Sequence, residues 1–128
     1  MQYKYFYGAQ AEQFSFYRIP KALFTEPNFR ELSTDAKVLY GILLDRMSLS
    51  LKNQWLDAQN KVYIIFTVEE IMDALNCANQ KATRLMVELE KQAGLIERKR
   101  QGLGRPNLIY VKNFAATIND KSCEKSDS

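Results

Sequence analysis

Asn79, Gln80, Lys81, Thr83 and Arg84 fall within one short stretch of the chain. Their side chains are of the types that meet base edges and phosphates. Asn and Gln pair bidentately with adenine, Arg and Lys with guanine, and a hydroxyl with either a base or a phosphate. A second group follows at Arg98, Lys99, Arg100, Arg105 and Asn107, interrupted by Gly102, Gly104 and Pro106. Cations set around turn-forming residues suit a phosphate backbone or a minor groove. Both groups lie where the charge is concentrated. Residues 78–112 hold eight basic and three acidic side chains, against 18 and 15 in all 128 residues, a net charge of +3. The overall charge is too small to imply an anionic partner; its placement does. The competing reading is an ordinary solvated face, and only the elements that carry these residues can separate the two.

Other chemistries find little support. The chain has no histidine, which excludes a histidine base and every histidine-bearing zinc site. Cys77 and Cys123 make no secreted disulfide scaffold, and Cys77, placed in a turn between helices, reads as a small core residue. Glu69 and Glu70 are adjacent, so they serve the start of a helix better than an acid–base pair. Asp35 and Asp45 have no metal-binding partner pattern. The glycines follow neither phosphate-loop nor dinucleotide spacing. No catalytic residue, metal or cofactor is therefore expected. No apolar run approaches the ~20 residues of a membrane span, and residues 1–7 lack the apolar core of a signal peptide. A cytoplasmic location is the expectation.

The elements that position the two groups follow from local pattern. Ser33 is an N-cap, and Val38, Leu39, Ile42, Leu43 and Met47 recur at helical spacing, which predicts a long core helix from Thr34 to about Leu49. Ahead of it, Pro20 can open a short helical turn that Pro27 ends. Residues 52–61 read as a loop, with Trp55 as a packing residue. Val62–Phe66 is β-prone. Thr67 and Glu70 form a capping box before a short helix. Asn79 can cap the next helix, which runs to about Gln92 and buries Ala82, Leu85, Met86 and Leu89; its outward faces carry the polar residues above together with Glu88 and Lys91. Gly94 stops it. Two strands then flank a glycine tip. In the first of them Arg98 and Arg100 point one way and Lys99 the other.

Helix, strand, helix, turn, helix and basic hairpin make an α+β domain of winged helix-turn-helix type. The predicted organisation is an aromatic N-terminal arm over 1–17, the winged helix over 18–115, and a polar tail or start of a linker over 116–128. The arm carries Tyr3, Tyr5, Phe6, Tyr7, Phe14, Phe16 and Tyr17. So many aromatics are expected to cover either their own domain or a second copy in a homodimer.

Three strings add a resemblance: Phe16-Tyr17-Arg18-Ile19-Pro20-Lys21-Ala22-Leu23-Phe24, Leu32-Ser33-Thr34-Asp35-Ala36-Lys37-Val38-Leu39-Tyr40 with Leu43-Leu44-Asp45-Arg46-Met47, and Gly104-Arg105-Pro106-Asn107. With them the chain resembles the N-terminal domain of plasmid replication initiator A proteins of Gram-positive bacteria over nearly its whole length. The resemblance implies a dimeric winged helix that recognises repeated sites in double-stranded DNA at a plasmid origin. It also implies a linker and a C-terminal domain, absent from these residues, that recruits host replication machinery. A winged-helix transcriptional repressor is the alternative reading, and a winged helix used only for protein contacts is a third.

Overall fold

Helix α2 (Thr34–Met47) is the element on which the core is assembled in the computed structural model, which describes residues 2–8 and 13–115. The expected tail over 116–128, Cys123 included, lies outside the described residues. Ser33 caps α2 as expected, accepting a hydrogen bond from the Ala36 N–H at 3.2 Å. The buried face of the helix is Ala36, Leu39, Tyr40, Ile42 and Leu43. Tyr40 was not evident as a core residue. Its ring is buried and its hydroxyl donates to the Lys112 carbonyl at 2.8 Å, so the one polar atom is satisfied. Burial pushes that phenol up to about 12.

Ahead of α2 lie helix α1 (Ala22–Thr25) and a 3-10 turn (Pro27–Phe29). They bury Leu23 and Phe29. The segment before α1 crosses α2 at Gly41, where an added Cβ would come within 2.9 Å of the Arg18 carbonyl oxygen and of Ile19 Cγ1. Gly41 is therefore a close-approach glycine, and a larger residue there would force the two segments apart.

After α2 the order is β1 (Ile64–Ile65), α3 (Val68–Leu75), α4 (Asn79–Val87), a π-helical segment (Glu88–Gln92), β2 (Ile96–Lys99) and β3 (Leu108–Val111). The strands form one antiparallel sheet in the order β1-β3-β2. The β-prone run 62–66 thus yields only two ladder residues, but they add a third strand beside the expected hairpin. Ile64 pairs with Ile109, and both are buried. Trp55 is a packing residue, stacked on Tyr63 with ring centroids 6.5 Å apart, and Tyr63 meets Tyr110 edge-on at 6.2 Å. Asp57 closes the loop by accepting from the Gln59 and Lys61 N–H groups and from the Tyr110 hydroxyl.

The result is an α+β domain in which α2, α3 and α4 and the inner face of the sheet share one core. Leu85 and Leu89 share it with Leu39, Leu43, Ile71 and Ile96. The described rings of the aromatic arm lie at the surface: Tyr3, Tyr5, Phe6, Tyr7, Phe14, Phe16 and Tyr17 are 50–84 % exposed. Phe14 touches Phe6 and Phe16 edge-on.

Candidate nucleic-acid interface

Helix α3 is started by its capping box: Thr67 Oγ1 accepts from the Glu70 N–H, and Glu70 accepts in return from the Thr67 N–H. Glu70 also pairs with Arg46 of α2, whose Nε donates to the Ile65 carbonyl and whose guanidinium lies over the Phe66 ring at 4.8 Å. Burial opposes ionisation of Glu70, but the Thr67 amide and the Arg46 charge outweigh it and hold the carboxyl below its ordinary range. Asn76, in the left-handed region at φ 52°, turns the chain from α3 towards α4.

Helix α4 presents the first group of polar residues. Ala82, Leu85 and Met86 are buried, whereas Asn79, Gln80, Thr83 and Arg84 are exposed. Two details differ from expectation. The N-cap is Ala78, with no side-chain bond to the helix, and Asn79 is the first helical residue, its Oδ1 lying 3.5 Å from Thr83 Oγ1. The N-terminal N–H groups of α4 thus receive no side-chain cap. Lys81 leans towards α2 and pairs with Asp35 at 2.7 Å, both side chains about half exposed.

The helix then widens into the π-helical segment instead of continuing as α to Gln92. Glu88, the first residue of that segment, points inwards, contrary to its expected outward place. It is 8 % exposed, and its carboxylate accepts from both the N–H and the hydroxyl of Ser33.

The second group lies on the hairpin. Gly102 and Gly104 have φ of 118° and 75°, a backbone that side chains other than glycine's rarely allow, and they form the tip. Gln101 Nε2 donates to the Pro106 carbonyl at 2.7 Å and draws the loop together. Lys99, Arg100, Arg105 and Asn107 are exposed. Arg98 is not arranged like them. It lies on the inner side of β2, opposite Ile109, and its guanidinium is bound to Glu90. Among the described residues, no carboxylate forms an ion pair with Arg84, Lys99, Arg100 or Arg105. The missed residues Glu88, Glu90 and Asp35 are all acidic, and their surface-type chemistry gave no signal of inward or paired placement. Also among the described residues, no group of His, Cys, Asp and Glu could hold a metal ion, and no helix is long and apolar enough to cross a membrane.

A helix pair followed by a cationic hairpin, on a small antiparallel sheet, defines an α+β domain with an exposed polar stripe on α4 and an exposed cationic hairpin tip. The chain belongs to the family described as "Replication initiator protein A (RepA) N-terminus", whose model matches residues 15–125. It is similar to a "41 kDa protein" of Lactobacillus helveticus, 32 % identical over 103 residues. The match covers 80 % of this chain and 28 % of that relative, so the chain spans little more than a quarter of its length. Among solved structures it resembles an "N-Terminal domain of DNA binding protein", with TM-score 0.72, 39 % identity and coverage of 88 % of this chain and 85 % of that one. It resembles equally a "Structure of Rep-DNA complex", with TM-score 0.72, 39 % identity and coverage of 86 % and 84 %. A "Structure of MDR initiator" follows at TM-score 0.69 and 40 % identity, covering 86 % of each chain.

Proposed function

We propose that the chain is the sequence-specific, double-stranded DNA-binding module of a plasmid replication initiator, folded as a winged helix-turn-helix. Helix α4 is the recognition helix and the β2–β3 hairpin is the wing. The observation that carries this reading is that Gln80, Thr83 and Arg84 on α4 and Lys99, Arg100 and Arg105 on the hairpin are all exposed, with none of these cations in an ion pair among the described residues. Arg84 and Gln80 suit base edges in a major groove, and Arg100 and Arg105 suit phosphates or a minor groove beside it. The free N–H groups at the start of α4 add a place for a phosphate. Similarity to a chain solved as a Rep–DNA complex supports DNA as the ligand. No catalytic step is assigned to these residues, and the site of action is the cytoplasm, where plasmids replicate.

The exposed aromatic arm is the surface assigned to a homodimer, because its described rings are 50–84 % exposed. A dimer would match paired half-sites on the duplex. Recruitment of host replication machinery is assigned to the part of the full-length initiator beyond this chain.

The test is a footprint of the chain on DNA carrying its own gene and flanks, at two salt concentrations. Protection of repeated sites at an origin, weakening with salt, is expected. Protection confined to a promoter would favour a repressor. Sedimentation of the chain with residues 1–13 deleted should show a folded monomer; a dimer of unchanged stability would move the interface elsewhere.

A further inference from the structure

Arg98 and Glu90 are joined at three points. The Arg98 backbone N–H donates to Glu90 Oε2 at 3.1 Å, its Nε–H donates to Oε1 at 2.9 Å, and Nη2 lies 2.8 Å from the same Oε1. Both side chains are largely covered, at 25 % and 17 % exposure. The amide contact follows from the ladder. Strand β2 is at the edge of the sheet, and the Lys112 N–H donates to the Leu95 carbonyl at 2.8 Å. Hydrogen bonding to β3 therefore falls on Leu95, Glu97 and Lys99, and the Arg98 N–H faces outwards from the edge. Glu90 supplies the acceptor that the missing neighbouring strand would have supplied.

Glu90 sits on the π-helical segment that continues α4, two residues after Glu88, which grips Ser33 at the start of α2. One short segment is thus fastened to α2 on one side and to the hairpin's free edge on the other. A π-helical turn is where a helix departs from its regular spacing to re-aim side chains. Here the segment carries two carboxylates that meet structural partners.

We propose that Glu90 is a positioning residue: by clamping Arg98 it sets the angle between α4 and the β2–β3 hairpin, and so places Arg105 against DNA while Arg98 itself stays off it. This rests on the DNA-binding reading above. The leverage is geometric. Four residues separate Arg98 from the tip at Gly102, or about 13 Å at ~3.3 Å per residue. A rotation of roughly 10° at the clamp moves the tip by about 2 Å, enough to break a hydrogen bond of ~2.9 Å.

The test is a double-mutant cycle on the whole chain, with Glu90→Gln and Arg105→Ala singly and together, binding the footprinted duplex across a salt series. In the unaltered background Arg105→Ala should lower the salt slope by about 0.9 if it neutralises one phosphate. In the Glu90→Gln background the same change should lower it by less than half as much. The comparison within each background cancels any new contact made by a released Arg98. Amide exchange at Arg98 should quicken in Glu90→Gln. If that variant does not fold, Arg98→Met, which leaves Glu90 on the amide, carries the same comparison. An equal Arg105 contribution in both backgrounds, with duplex binding intact, would overturn this inference alone. Absence of duplex binding by the unaltered chain would overturn the DNA reading and this inference with it.

Discussion

Ser33 and Glu88, 55 residues apart in the chain, meet at the N-terminus of α2, where the Ser33 hydroxyl donates to Glu88 Oε2 at 2.9 Å and accepts from the Ala36 N–H at 3.2 Å. The carboxylate also accepts from the Ser33 N–H. Negative charge is thereby held at the positive end of the helix dipole, inside the domain. Glu88→Ala leaves the Ser33 N–H without its partner in a part-buried place, which costs roughly 1–3 kcal/mol. Thermal melts should record that loss, and a melting temperature equal to that of the unaltered chain would refute the cap.

Arg84 and Leu85 are neighbours on α4 with opposite fates, one exposed and one fully buried. Arg84→Ala should reduce discrimination between cognate and altered sites by ~1–3 kcal/mol with the melting temperature nearly unchanged. Leu85→Ala should destabilise the fold by about 2–5 kcal/mol. Binding isotherms and melts on both variants check the pair; a folding collapse in Arg84→Ala with specificity retained would reverse the assignment.

Lys81 is held by Asp35 at 2.7 Å in a pair exposed enough for water to screen it. Asp35→Asn should change stability by less than about 1 kcal/mol. It removes a negative charge beside α4 and releases a cation, so duplex affinity should rise. Titration at fixed salt decides the matter: unchanged or weaker binding would place Lys81 away from DNA.

Acid should expose Glu70 and Glu90, two of the three carboxyls held below their ordinary range, Asp57 being the third. For Glu90, as for Glu70, burial opposes ionisation but bonds to its partners, here the Arg98 amide and guanidinium, prevail and lower the folded-state value below the ordinary 4.5. A group depressed in the folded state contributes stability above its unfolded value, and that contribution disappears as pH falls through the folded one. Stability should therefore be level above about pH 5 and decline below the ordinary 4.5. Glu70→Gln and Glu90→Gln should each flatten the acid limb in urea melts run from roughly pH 6 to pH 3. An unchanged limb in both would show that other carboxyls govern it.

Much of this protein is local and was legible in the residues alone. The Ser33 cap, the Thr67–Glu70 capping box and the Ala82, Leu85, Met86, Leu89 stripe depend on neighbours within four residues along the chain, and helical periodicity determines their faces. The glycine tip is equally local, because turn chemistry belongs to the tip itself. What only the tertiary structure decided is which charges remain available to a ligand. Lys81 and Arg98 look like Arg84 and Arg105 in sequence, yet Asp35 and Glu90 pair with the first two. Glu88 looks like a surface acid until packing of α4 against the start of α2 brings it onto Ser33. The aromatic arm likewise left open whether it sealed its own core, and the fold leaves its described rings at least half exposed. Ion pairing depends on distance in space between side chains brought together by packing, and no period or propensity along the chain encodes that distance.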